Sequence, residues 1–279
     1  MTTTLLKPIL EAEVRGLGEI YSVKGSFNEA LESLREFGIN APTSVRELAY
    51  ARINSEELSL RFFGSYTSGG FLYLKNEPVL VALESPLLDL ELAKQAVEAN
   101  KKGNYFTTNI SVYKKYRGQA EQDKNKSPQE RNVLILPNTK TFSISTNSFN
   151  ENELALFLFK NQTENYGNLL RKNKISEIPI WLVDKSYVDS KEESVLTLLW
   201  FSNFDGGSDL GVSGDLYCYG RVRGMFEKTL EEGRVLEKEY EEKVEKIESY
   251  TLNQIKYVLG KLKISELEEQ ILEELRKSS

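Results

Sequence analysis

From Leu58 to Ser85 the chain reads LSLRFFGSYTSGGFLYLKNEPVLVALES, alternating apolar and polar residues around Thr67-Ser68-Gly69-Gly70 and Asn76-Glu77-Pro78. Period-two alternation interrupted by turn residues predicts a meander of strands with two turns. Short apolar runs at Asn132–Pro137 (NVLILP), Lys140–Thr146 (KTFSIST), Ile178–Val183 (IPIWLV) and Val195–Phe201 (VLTLLWF) predict further strands. Trp181 and Trp200 fall inside two of these runs and are expected to be core anchors, with a stacking platform as the functional alternative. Helical signals lie elsewhere. Ser26 with Glu29 and Ser44 with Glu47 open two short helices within residues 26–57, Gly38 closing the first and Pro42 forcing the break. Asp89 is the expected N-cap of a helix reaching about Asn100, with Leu90, Ala93, Ala96 and Val97 on one face. Residues 150–173 predict one helix or two, with a break near Gly167. Residues 114–131 are charged and poor in apolar side chains, and read as a long exposed loop.

After Met225 the pattern changes again. Phe226, Leu230, Leu236, Tyr240, Val244 and Ile247 form one stripe among Lys and Glu, Leu252–Leu262 suits a second helix, and Ser265 with Glu268 caps a third. This tail serves either oligomerisation or a helical layer on its own domain, because amphipathicity alone does not separate the two. The expected organisation is a helical lead-in over 1–57, a main domain over 58–225 and a helical tail over 226–279.

The segment 202–220, SNFDGGSDLGVSGDLYCYG, lacks Lys, Arg, Glu, Gln and Met. Apart from Leu210 and Leu216 it uses only Asn, Asp, Ser, Gly, Tyr, Cys, Val and Phe, residues reached when adenines of an AAT or AAC codon are replaced. An ordinary glycine-rich surface loop shares much of that composition. The flanks do not: Leu199-Trp200-Phe201 leads in, and Arg221-Val222-Arg223-Gly224-Met225 leads out. This frame resembles the variable region of target proteins of diversity-generating retroelements, in the branch associated with archaea and their viruses.

The resemblance implies an α+β fold: a C-type lectin-like domain of the formylglycine-generating-enzyme type, here with short N-terminal helices and a helical C-terminal tail. Helices, several short strands and a long irregular insertion between the last two strands are the order such a fold needs. The resemblance further implies a ligand-recognition protein, diversified by adenine-directed mutagenesis, with a variable region over about 199–225. Its ligand-binding positions would be Asp205, Gly206, Gly207, Asp209, Gly211, Val212, Ser213, Gly214, Asp215, Tyr217, Cys218, Tyr219 and Gly220, together with Ser202 and Asn203. Ser208, Leu210, Leu216 and the two flanks would be scaffold. Tyr, Ser, Gly and Asn are the palette of antibody loops, where Tyr gives rigid contact area and the small polar residues give adaptable hydrogen bonds. Family members end near the variable region, so the tail is a departure.

The remaining chemistry narrows the function classes. Histidine is absent, which removes the usual general base and every Ser-His or Cys-His dyad. No enzyme activity, catalytic residue or cofactor is expected, although a carboxylate-based glycan enzyme stays open. Cys218 is the sole cysteine, too few for an internal disulfide, for a cysteine zinc site or for the cysteine chemistry of formylglycine-generating relatives. Asp205, Asp209 and Asp215 do not follow EF-hand spacing, so no metal site is assigned. Forty-two acidic against 36 basic residues give a net charge of −6, the wrong sign for a nucleic-acid partner. No run of about 18 apolar residues and no signal-peptide core occur. The expected partner is a protein or glycan ligand, the site of synthesis is the cytoplasm, and a virion or cell surface is reached by another route. The alternative reading is a structural protein that assembles as a homo-oligomer through 226–279.

Overall fold

The computed structural model describes residues 6–136, 140–204, 209–212, 216, 217 and 220–226. Strands β1 (Ile9–Val14), β2 (Gly18–Gly25), β3 (Ser65–Tyr73), β4 (Val79–Ala82), β5 (Phe106–Thr108), β6 (Val133–Leu136), β7 (Phe142–Ser145), β8 (Glu177–Trp181), β9 (Ser194–Phe201), β10 (Leu210–Val212) and β11 (Gly220–Phe226) join in one mixed sheet. Its order is β1-β2-β11-β3-β9-β10-β8-β7, with β4 on β3, β6 on β4 and β5 on β9. The helices are α1 (Phe27–Glu36), α2 (Val45–Asn54), α3 (Leu58–Phe62), α4 (Leu90–Lys101), α5 (Ile110–Asp123), α6 (Glu153–Phe159), α7 (Thr163–Lys172) and α8 (Lys185–Asp189).

Strand β9 explains the layering. Six of its eight residues are apolar and point to both faces, as a central strand requires. Val195, Leu199 and Phe201 enter a core with Leu48 of α2, Phe157 of α6 and Tyr166 of α7. Leu196, Leu198 and Trp200 enter a second core with Leu31 of α1, Val97 of α4 and Tyr113 of α5. A smaller cluster of Val14, Ile20, Ala51, Leu60 and Met225 closes the β1 end. Asp89 caps α4 by accepting from Glu91 and Leu92 N–H, and the Ser44–Glu47 capping box opens α2, both as expected. The turn at Asn76-Glu77-Pro78 joins β3 to its antiparallel neighbour β4.

Five expectations are corrected. Leu58–Phe62, read as the start of the strand meander, is helix α3, and β3 begins at Ser65. The first 57 residues are not a purely helical lead-in: ILEAEV and GEIYSVKG alternate, pair as an antiparallel hairpin, and β2 continues onto β11. Thr67–Gly70 is no turn but an irregularity inside β3, where the register jumps from Tyr66↔Trp200 to Gly70↔Leu198. Residues 114–131 include most of α5, whose few apolar contacts suffice because Tyr113 and Ala120 bury on one stripe and Asn109 caps Ser111 N–H. The break within 150–173 falls at Lys160, where φ is +51°, whereas Gly167 lies inside α7 against Phe149.

The chain divides into two units, Met1–Glu227 and Lys228–Ser279. The three helices expected in 226–279 lie outside the described residues, apart from Phe226 at the end of β11.

Candidate ligand-binding surface

The segment 202–220 leaves the sheet at the end of β9 and returns at the start of β11, and its described residues also join the sheet between through β10. Leu210 pairs with Phe201 and Ile180, and all three are buried. Ser202 N–H donates to the Asp209 carbonyl at 3.0 Å, continuing the ladder by one step. Leu216 is clipped between two helices: its N–H donates to Asn100 Oδ1 at 3.1 Å and its carbonyl accepts from Phe27 N–H at 2.8 Å. Leu216, 2% exposed, is thus anchored without belonging to a strand.

Buried arginines fasten both ends. Arg52, 1% exposed, lies with its guanidinium 4.0 Å from the Phe201 ring centroid and 5.4 Å from that of Phe204. It donates to Leu60 O, Tyr166 Oη and Ser202 O. Three acceptors and an aromatic face satisfy a fork geometry that lysine lacks. At the other end Arg221 and Arg223 both donate to the Glu11 carboxylate, and Arg223 also reaches Phe63 O and Ser59 O. Burial pushes the Arg223 guanidinium down to about 10 while Glu11 opposes that shift, so the group stays charged at neutral pH. The Arg221–Gly224 flank is therefore buried scaffold. Sequence alone does not name Arg52 or Glu11; each is an isolated charge in a helix or edge strand, with its partners distant in sequence.

Between these anchors the expected variable positions divide. Ser202, Asn203, Asp209 and Val212 are partly exposed and Tyr217 is 42% exposed. Asn203 Nδ2 donates to Phe62 O, and Phe204 N–H to Arg61 O, so the first turn leans on α3. Asp205, Gly206, Gly207, Ser213, Gly214, Asp215, Cys218 and Tyr219 lie outside the described residues. Gly211 and Gly220 sit where a side chain has no room. A Cβ at Gly211 would stand 2.7 Å from Trp181 Cβ, and one at Gly220 would stand 2.2 Å from the buried Tyr66 ring. Both are strand residues whose missing side chain lets an aromatic ring lie on the backbone, so their packing is that of scaffold.

Trp200 behaves as the expected anchor, edge-on to Tyr66 with centroids 4.9 Å apart. Trp181 does not: it is 50% exposed. The alternation in β8, Glu177-Ile178-Pro179-Ile180-Trp181, buries only the two isoleucines and turns Trp181 to the opposite face. That alternation was visible in the sequence beneath the apolar run. Trp181 thus stands beside β10, paired in register with Gly211 on the neighbouring strand, and adjoins the segment as a large solvent-facing ring.

Among the described residues no group of three His, Cys, Asp or Glu is placed to hold a metal ion. None of their helices is long and apolar enough to cross a membrane.

No family model matches the chain, and no curated protein matches it. A solved structure reported under "Accommodation of massive sequence variation in Nanoarchaeota by the C-type lectin fold" is similar over 77% of this chain and 100% of its own, with a TM-score of 0.57 and 16% identity. The likeness extends over the whole of that chain, and with the mixed sheet and flanking helices it establishes that this protein has the C-type lectin fold.

Proposed function

We propose that this protein is a non-catalytic recognition protein whose ligand-binding surface is the 202–220 segment, diversified through adenine-directed mutagenesis by a retroelement, on a C-type lectin scaffold of the formylglycine-generating-enzyme type. The observation that carries the reading is the split in burial. Leu199, Phe201, Leu210, Leu216 and Arg221–Met225 are buried, while Ser202, Asn203, Asp209, Val212 and Tyr217 reach solvent. Such a division lets side chains change without removing core contacts, which is what tolerance of substitution requires. The solved structure's own description, accommodation of massive sequence variation by this fold, supports the same reading. In this proposal Gly211 and Gly220 belong to the scaffold, and Tyr217 is a principal contact residue, since aromatic side chains give large contact area at low entropic cost.

The ligand is a protein or a glycan, and the protein is made in the cytoplasm and reaches a surface by another route. The test is nucleotide sequencing of the locus across its source population. Substitutions concentrated at adenine-derived codons of 202–220, beside a near-identical template repeat, support the reading. Uniform variation without such a repeat removes the diversification and brings assembly through 228–279 forward.

A further inference from the structure

Helix α3 and its C-cap Phe63 are tied to both ends of the candidate segment. Asn203 Nδ2 donates to Phe62 O and Phe204 N–H to Arg61 O at the leading end. From β11, at the closing end, Arg223 donates to Ser59 O and Phe63 O. All four bonds end on backbone carbonyls of this short stretch, and three of its apolar side chains face solvent: Leu58 is 63% exposed, Phe62 37% and Phe63 48%. Leu58 and Phe62 are four residues apart and so share one helix face, with Phe63 adjoining. Apolar residues scattered singly over a surface need no explanation, whereas a contiguous group marks a contact surface.

Cations flank this group. Arg221 Cζ lies 4.4 Å and Lys24 Nζ 5.8 Å from the Phe63 ring centroid. Lys24 and Arg221 are direct cross-strand partners, so their side chains leave the sheet on the same face. The Glu11 carboxylate holds Arg221 and Arg223 together; with Lys24 beside them, three positive groups stand against one carboxylate. Lys24 is exposed and has no ion pair among the described residues. The acidic residues next to α3, Glu56 and Glu57, stand at its opposite end from Phe63. We infer that Lys24, Phe63 and the outward face of α3 form a docking patch for an acidic, partly apolar segment of a partner protein. A partner carboxylate pairs with Lys24 while neighbouring apolar side chains cover Phe62 and Phe63; Arg221, fixed by Glu11, adds its charge and no contact. Every residue of the patch lies outside 202–220, and the inference does not require that segment to be diversified. A nucleic-acid strand suits the patch less well, since one free lysine neutralises little of a phosphate backbone and Leu58 would stay uncovered.

The experiment uses the full chain and three probes: a short Gly/Ser peptide in which leucines flank paired glutamates, the same peptide with arginines for the glutamates, and an oligothymidylate. Backbone amide resonances of Lys24, Phe63 and Arg221 are followed by NMR, with Ser143 and Glu177 on the far strands as controls, and affinities are measured for Lys24→Gln and Phe63→Ser. The expected result is a shift of the first three resonances with the glutamate peptide and none with the arginine peptide. Binding is expected to be about threefold weaker in Lys24→Gln and about tenfold weaker in Phe63→Ser, and to weaken in both with added salt. Should Phe63→Ser fail to fold by circular dichroism, Lys24→Gln decides, because its side chain is exposed and carries no described ion pair. Equal affinity of wild type and Lys24→Gln for the glutamate peptide overturns the inference, as does binding of the arginine peptide at the same strength. Oligothymidylate bound as tightly as the glutamate peptide overturns it in favour of general polyanion attraction. No shift with any probe overturns it outright and leaves Phe63 as a cover over the Glu11–Arg221 pair.

Discussion

At the scale of single residues the surface depends on buried charges. Replacing Arg52 by Met removes the buried charged donor that Leu60 O, Tyr166 Oη and Ser202 O share. Charge-assisted hydrogen bonds lost from a buried site cost on the order of 3 kcal/mol in sum, read as a lower urea midpoint. Arg52→Lys is expected to recover little of that loss, because an ammonium cannot span three divergent acceptors while lying flat on Phe201. A second prediction concerns Glu11, whose side chain is 5% exposed between Arg221 and Arg223. Glu11→Gln leaves two buried guanidinium groups without a counter-charge and should cost about 3–5 kcal/mol, whereas an exposed pair such as Lys75–Glu192 should cost well under 1 kcal/mol in the same measurement.

At the scale of elements, glycine decides where strands can approach. A Cβ at Gly70 would stand 2.5 Å from the Thr197 carbonyl, part of the β9 backbone itself. Gly70→Ala therefore has to displace the β3–β9 ladder, and a loss of about 1–3 kcal/mol is expected, with amide exchange accelerating at Leu196–Leu198. The same reasoning shows what sequence could reveal of this fold. Capping signals at Asp89 and Ser44 are local, so both helices were legible where they start. The β3 irregularity was not: Thr67-Ser68-Gly69-Gly70 has turn composition, and only its tertiary partners, Thr43 O receiving Ser68 N–H and Leu199 O receiving the Thr67 hydroxyl, hold it in the sheet. Helix α5 was misread for the opposite reason, since a helix that buries Tyr113 and Ala120 while exposing Lys114, Lys115 and Glu121 carries too little apolar surface to stand out from a loop. The leading flank of the candidate surface was legible because the apolar run Val195–Phe201 is long, whereas Arg221–Met225 has no such run and its burial depends on the distant Glu11. Trp181 escaped because run length and alternation gave contrary answers, and the alternation was right.

At the scale of the whole molecule, the sheet, both large cores and the candidate surface all belong to the unit ending at Glu227. Strand β11 makes that boundary meaningful: Gly220–Phe226 pairs along its full length with β2 and touches β3 at Val222, so the last residues before the boundary are structural and cannot be trimmed. A chain ending at Glu227 is expected to unfold cooperatively with a thermal midpoint within a few degrees of the full chain, while one ending at Tyr219 should fail to fold, because β2 and β3 lose their shared neighbour and Glu11 loses both arginines. Light scattering on the first truncation then separates the two functional readings. If 228–279 assembles copies, removing it yields a monomer whose individual site binds ligand with unchanged affinity but whose avidity on an immobilised, multivalent ligand falls by about a hundredfold or more. A monomer that loses single-site affinity as well would place recognition in the C-terminal unit, and the surface built on β9, β10 and β11 would then be scaffold without a ligand.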